Sequence, residues 1–176
     1  SLVGSEMCIR DRYIAERTDK KRLFDADALN IIAGEHIDYK GSREGQIIIT
    51  PHIMEMSRLT GKTVADIKEH MIESAKEYAI QHSCICILKD ARTVVTDGQK
   101  VYINCTGNDG MSTGGCGDVL TGLIAGMTAM GLDAFEAACL SVYVHGKAGD
   151  YAASGKGRAG MTAADISEAI AYVLKR

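Results

Sequence analysis

The chain has 176 residues, 46% of them hydrophobic and 24% charged, with 19 Gly, one Pro and no Trp, a globular composition that excludes disorder, collagen-like repeats and low-complexity tails. Its 20 Lys and Arg against 23 Asp and Glu are spread along the sequence for a net charge of −3, so no basic stripe awaits a nucleic-acid backbone. The longest apolar runs, around Ile47–Ile49 and over Cys84–Leu88, fall far below the roughly 20 residues that cross a bilayer, so no nucleic acid and no membrane is expected as a partner.

Residues Ser1–Arg12 (SLVGSEMCIRDR) have neither helical nor strand periodicity and look like a translated vector or adapter. They are expected to be a non-native leader, with residues 13–176 a portion of a single domain. Arg22–Phe24 then leads into Asp25–Asn30 and a short helix ending near Gly34, and Gln46–Thr50 is a β-branched strand stopped by Pro51. Thr63 with Asp66 makes a capping-box start, and Ile67, Met71, Ala75 and Tyr78 keep one apolar face through about Gln81, which predicts one helix. Cys84–Leu88, Arg92–Thr96 and Lys100–Asn104 are three short strands, the last two joined by an Asp97-Gly98 hairpin turn. Asp118–Met130 has helical spacing with Gly131 as its stop; Asp133 with Glu136 opens a helix to about Ala153, and Thr162 with Asp165 opens a last one to Leu174. Apolar strands interleaved with helices predict a three-layer α/β/α sandwich around a mostly parallel sheet.

Cys8, Cys84, Cys86, Cys105, Cys116 and Cys139 show no Cys-x2-Cys spacing, and no secretory segment precedes them. They are expected to be reduced thiols of a cytoplasmic protein with no metal site, Cys84 and Cys86 packing as small hydrophobes on one strand face.

Chemistry concentrates between Thr106 and Asp118, where five glycines (Gly107, Gly110, Gly114, Gly115, Gly117) follow a strand and run into the strongest helix. Such a turn lets backbone N–H groups approach an anion, and the helix dipole adds about half a positive charge there. No Gly-Lys-Ser/Thr follows, so this is not a Walker loop, and no G-x-G-x-x-G follows a first strand. Asp118 would sit in the first turn, where the dipole favours an ionised carboxylate able to accept a proton from a hydroxyl. An N-capping Asp explains Asp118 alone but not the five glycines. His52, after a strand's C-terminal end, stands where open α/β sheets place ligands, although a polar loop residue is as common there. Asp25, Asp27 and Asn30 either line the same crevice or cap the helix they begin. Lys89 alone reads as a surface charge at a hairpin tip, and His145, inside a helix, as a core histidine.

Thr106–Gly122, together with Asp25–Asn30, Thr50-Pro51-His52 and Ala137–Asp150, closely resembles the ADP-dependent NAD(P)H-hydrate dehydratase family, a branch of the ribokinase-like superfamily. The resemblance spans about Leu23 to Leu174, and the long Thr-Gly-Asn-x-Gly-Met-x-Thr-Gly-Gly string sets it apart from the superfamily's kinases. It implies a lyase that dehydrates hydrated NADH or NADPH at the expense of ADP, giving AMP and phosphate, with Mg2+ and with a closed homo-oligomer plausible for the superfamily. It further implies that Asp118 contacts the hydrated nicotinamide and acts as general base, and that His52 lies on the same substrate. Nucleotide binding would fall to Lys89, Asp90, Ala91, Arg92 and Thr93 on the AMP portion, and to Asn108, Gly114, Gly115, Cys116 and Gly117 on the phosphates.

The sequence departs from the family at His52-Ile53-Met54-Glu55, where Pro-Gly-Glu usually follows the His, at Lys89-Asp90, usually Lys-Gly, and at Cys116, usually Thr or another small residue. Family members also carry a longer stretch before the Asp25–Asn30 segment, so the chain is expected to be a C-terminal portion lacking the first strands of the sheet. Two other readings stand beside this one: a small-molecule kinase of the same superfamily, and a non-catalytic nucleotide-binding remnant.

Overall fold

The computed structural model describes residues 20–37, 39 and 45–175. The expected leader, Ser1–Arg12, lies outside them. Among the described residues, β1 (Arg22–Phe24), α1 (Asp27–Glu35), β2 (Ile47–Ile49), α2 (Ile53–Thr60), α3 (Val64–Glu69), α4 (Met71–His82) and β3 (Ile85–Leu88) are followed by β4 (Val94–Thr96) and β5 (Val101–Ile103). A 3-10 turn at Asp109–Met111 then precedes α5 (Cys116–Ala129), α6 (Ala134–Lys156) and α7 (Ala163–Val173). The strands form one sheet in the order β1-β2-β3-β4-β5. The β1–β2 and β2–β3 pairs are parallel and β3–β4 is antiparallel, so the sheet is mixed, with its parallel part over the first three strands.

Every residue of β2 and of β3 is buried, as strands covered on both faces require, which is why Ile47–Ile49 and Cys84–Leu88 read as unbroken apolar runs. The hairpin turn is fixed by two side chains: Thr96 Oγ1 accepts the Gly98 N–H (2.9 Å), and Asp97 Oδ1 accepts those of Gln99 and Lys100 (2.8 and 2.7 Å).

Three helix expectations shift and one helix was not expected. The stretch 63–81 is two helices: Thr63 caps α3, the backbone leaves the helical region at His70 (φ −124°, ψ 48°), and α4 continues from Met71. The periodicity could not show the break, because the His70 N–H still donates to Asp66 O and Ser74 N–H to His70 O, so one apolar face crosses the kink. Next, α2 carries no apolar repeat long enough to announce it and is started by a capping box at His52 and Glu55. Finally, α5 begins at Cys116, two residues before Asp118, and α6 runs three residues past Ala153. The box at Thr162 and Asp165 opens α7 as its spacing predicts.

Among the described residues the chain divides by its contacts into two compact units, one from residues 20–90 with Val94–Val101 and one from Ala91–Thr93 with residues 102–175. The first is built on a core that includes Leu29, Ile47, Ile49, Met56, Ile67 and Leu88. The second packs small residues of α6, among them Ala148 and Ala152, against Cys116, Ile166 and Ala169, with a neighbouring cluster of Met127, Ala137 and Val144. Cys84 and Cys86 are buried as expected; burial pushes the Cys84 thiol up to about 12 and Cys86 well above its ordinary value. The five described cysteines are free thiols, and among the described residues no three His, Cys, Asp or Glu side chains gather as a metal cage.

In urea titration, Ile49→Ala, which empties a fully buried site on the interior strand β2, should lower unfolding free energy by about 2–5 kcal/mol, whereas Thr162→Ala, which removes one helix cap, should lower it by about 1 kcal/mol. Equal losses would show that β2 is not the centre of its core.

Candidate functional site

Each unit carries one cluster of the residues singled out in the sequence. In the second unit the loop from Thr106 to Gly115 is organised by side chains rather than by regular structure. Asn104 Nδ2 donates to Thr106 O (2.9 Å), and Thr106 Oγ1 donates to Asn104 Oδ1 (2.9 Å) and to Tyr143 O on α6 (3.1 Å). Asp150, also on α6, accepts the Gly107 N–H and the Asn108 side-chain amide, each at 3.1 Å, and Asn108 Oδ1 accepts the Gly110 N–H at 3.1 Å to begin the 3-10 turn. This seat depends on bare backbone. A Cβ on Gly146 would lie 2.7 Å from the Thr106 carbonyl carbon, and one on Gly149 would lie 2.8 Å from Met111 Cγ.

The loop then delivers the chain to α5 through Gly115, whose φ of +88° is left-handed and suits glycine. No side chain caps this end of the helix. The Cys116 N–H donates to Thr113 O (3.3 Å), and Val119 N–H to Gly115 O (3.1 Å), which leaves the first-turn N–H groups of Gly117 and Asp118 without helical partners. Asp118 is exposed in the same turn, and Gly114 is exposed with open space around it. Uncapped donors, a dipole end and an adjacent carboxylate form an arrangement that can hold an anion and take a proton beside it.

Gly117 lies inside α5, and the left-handed glycines of the loop are Gly107 (φ +100°) and Gly115 (φ +88°). The Cys116 side chain packs in the core cluster that holds Ile166, and its N–H donates to Thr113 O.

In the first unit, three parallel strands bring their C-terminal ends side by side, and the sequence places Asp25, His52 and Lys89 just beyond them. Lys89 is not a surface charge at a hairpin tip: its Nζ donates to Asp25 Oδ1 at 2.8 Å with both side chains largely buried, and its backbone N–H donates to Pro51 O at 2.8 Å. His52 and Lys89 pair as an isolated parallel bridge. His52 caps α2, its Nδ1 accepting the N–H groups of Met54 and Glu55. The capping expected of the Asp25–Asn30 segment is absent, since the N-cap of α1 is Ala26 with no side-chain bond; Asn30 instead accepts from Arg58 Nη1 (2.7 Å).

Beyond Lys89, Asp90, Ala91 and Arg92 are exposed, and Thr93 O accepts the Asn104 N–H at the foot of the loop (2.9 Å). His145 is buried in α6, as a core histidine should be. Sequence reasoning missed Asp150 and Glu55 as organising groups. The spacing of Glu55 from His52 was the signal for one; nothing local connects Asp150 to a loop more than forty residues away.

A family model described as NAD(P)H-hydrate dehydratase matches residues 11–172. The bifunctional NAD(P)H-hydrate repair enzyme of Moorella thermoacetica is 47% identical over 166 residues, covering 93% of this chain and 31% of its own length. The crystal structure of the ADP/ATP-dependent NAD(P)H-hydrate dehydratase from Bacillus subtilis, co-crystallised with ATP/Mg2+ and soaked with CoA, aligns with a TM-score of 0.77 and 30% identity over 88% of this chain and 55% of that one. A ribokinase-like superfamily protein from Enterococcus faecalis shares the fold with a TM-score of 0.82 at 24% identity, over 96% of this chain and 58% of that one. The chain therefore spans about a third to three-fifths of the lengths of these relatives.

The seat of the loop is testable by hydrogen exchange. Asp150→Asn sets an NH2 group against one of its two donors, and Gly146→Ala forces a methyl onto the Thr106 backbone at a cost of about 1–3 kcal/mol. Both should speed exchange of the Gly107 amide while leaving α7 unchanged, and unaltered Gly107 exchange in both variants would remove α6 as the support of the loop.

Proposed function

Because the chain belongs to the NAD(P)H-hydrate dehydratase family, we propose that it supplies the phosphate cradle and the general base of an enzyme that removes water from hydrated NADH or NADPH at the expense of ADP. The observation that carries this reading is the uncapped N-terminus of α5, presented by a glycine-rich loop with the exposed Asp118 in its first turn.

The chemistry follows from the products. If ADP ends as AMP and phosphate while the substrate loses water, the substrate's hydroxyl oxygen attacks the β-phosphorus, AMP departs, and the oxygen then leaves carbon as part of phosphate, which carries off the ring proton as the ring double bond forms. Asp118 takes the hydroxyl proton as the oxygen attacks. The N–H groups of Gly117 and Asp118, with Gly114 and Gly115 beside them, hold the phosphate oxygens through the step, in fixed positions that need no reorganisation. His52 would meet the hydrated substrate, and Lys89 to Thr93 the AMP portion, with Asn108 keeping the loop in register. The family resemblance supports these assignments, as does the position of His52 and Lys89 at the C-terminal ends of parallel strands.

Mg2+ bound with the nucleotide would neutralise phosphate charge. With no three-carboxylate group among the described residues, such an ion would be held chiefly by phosphates and water. The same reading makes residues 13–176 a portion of one ribokinase-like domain, acting in the cytoplasm as a closed homo-oligomer.

In a chain of the relatives' full length, Asp118→Asn should lower ADP-dependent turnover of hydrated NADH about 10²–10⁴-fold while calorimetric AMP affinity holds, because the amide keeps the shape and loses only the base. Gly115→Val, forced into a left-handed backbone, should abolish AMP binding itself. Near wild-type turnover in Asp118→Asn, or phosphorylation of a vitamin or sugar hydroxyl by ATP in place of dehydration, would overturn the reading.

A further inference from the structure

The imidazole of His52 is held through one nitrogen. Its Nδ1 accepts two backbone N–H groups, from Met54 at 3.0 Å and from Glu55 at 3.2 Å, so Nδ1 carries no proton. The ring proton therefore belongs to Nε2, which lies 3.4 Å from Glu55 Oε1 without hydrogen-bond alignment to it, so its N–H is left for a ligand. The other oxygen, Glu55 Oε2, accepts the His52 backbone N–H at 2.8 Å. Glu55 is buried, 5% exposed, whereas the His52 side chain is 49% exposed.

Capping α2 does not require this apparatus. Ser, Thr, Asn and Asp are the ordinary N-cap residues, and threonines do that work for α3 and α7. Histidine in their place adds a half-exposed ring with a committed tautomer, and Glu55 adds a buried carboxylate that accepts the backbone N–H of the same residue. The neighbouring cation does not disturb the arrangement, because Lys89, bridged to His52 through the backbone, is engaged by Asp25.

We propose that Glu55 is a positioning residue that, by accepting the His52 backbone N–H and donating its own N–H to Nδ1, holds His52 as an Nε2–H donor, so that His52 binds an oxygen acceptor of the substrate, a carboxamide carbonyl or a hydroxyl, and transfers no proton. This rests on the reading above in which His52 meets the hydrated dinucleotide, and it assigns proton transfer to Asp118 alone.

Two measurements test it. Long-range proton–nitrogen NMR on the histidine-labelled 176-residue chain at pH 7 should show His52 as the Nε2–H tautomer, and Glu55→Ala should turn that signal into a tautomer mixture. A protonated or Nδ1–H ring in the wild type overturns the proposal. In a chain of the relatives' full length, His52→Asn should keep the helix cap and the melting temperature but weaken the affinity for hydrated NADPH by on the order of tenfold, the loss of one or two hydrogen bonds. Glu55→Ala should weaken it comparably with AMP affinity unchanged, and Glu55→Gln, which keeps an acceptor for the His52 N–H, should restore most of it. Equal loss of AMP and hydrate affinity in Glu55→Ala would mark a merely structural role, and undiminished hydrate affinity in His52→Asn would remove the substrate contact; either overturns the proposal. Wild-type protein that binds AMP but no hydrated NADPH would instead sink the dehydratase reading, and the NMR measurement would still decide the lock.

Discussion

The carboxylate of Asp150 is the interaction on which the second unit's chemistry depends. Eight residues separate Thr106 from Gly115, only three of them in a helical turn, and an isolated glycine-rich stretch of that length would sample many backbone paths. Two hydrogen bonds to Asp150 and one to the Tyr143 carbonyl tie the first three loop residues to α6. The conformational entropy lost there is offset before any ligand arrives, and the Asn108 turn carries the direction onward to Gly115. Arg158 adds an exposed ion pair to Asp109 at 3.1 Å, a contact of small energetic weight but of the same sense. A helix end left uncapped is normally a defect; reached by a pre-organised loop, it becomes a set of aimed donors.

The first unit solves a different problem with its strands. Parallel pairing aligns the C-terminal ends of β1, β2 and β3, so residues distant in sequence emerge together without any loop to organise them. Asp25 and Lys89 are 64 positions apart, yet meet at 2.8 Å. Their pairing removes an uncompensated charge from a largely buried place, where an isolated ammonium would be costly, and leaves His52 in surroundings set by Glu55. The α2 capping box thus does two things at once: it starts a helix and it fixes a ring.

Much of this was legible in the residues. The alternation of apolar runs with amphipathic stretches predicted the α/β class, the glycines of 106–117 marked the loop, and Thr162-x-x-Asp165 marked a helix start that the structure shares. What escaped was of two kinds. Periodicity is blind to a kink that preserves the hydrogen-bond ladder, hence the single helix read across His70. It is blind as well to tertiary partners: Asp150 reads as one more polar residue of a long helix, and Gly146 and Gly149 as helix weaknesses, until the loop lying on them shows why side chains are excluded. Lys89 was misjudged for the same reason, since its partner is supplied by another strand.

The places where this sequence differs from the family pattern become intelligible in the same terms. At Cys116 the changed side chain packs in the core cluster that holds Ile166, and the N–H groups proposed to hold phosphate lie one and two residues further on, so a small apolar group of similar size serves. At Asp90 the added charge is exposed, where water screens it and its effect on a neighbouring site falls off within about a Debye length. At Ile53-Met54 the usual Pro-Gly is replaced by a residue buried in the core, Ile53 at 7% exposure, and by an exposed one, Met54, each suited to the first turn of a helix. The glutamate three positions after His52 is kept, and the capping box needs only that residue and the backbone between. The variable positions are those whose contribution is backbone or bulk, and the retained ones are those whose side-chain atoms enter the hydrogen-bond geometry, so a ligand reading built on Asp118, His52 and the loop amides survives all three departures.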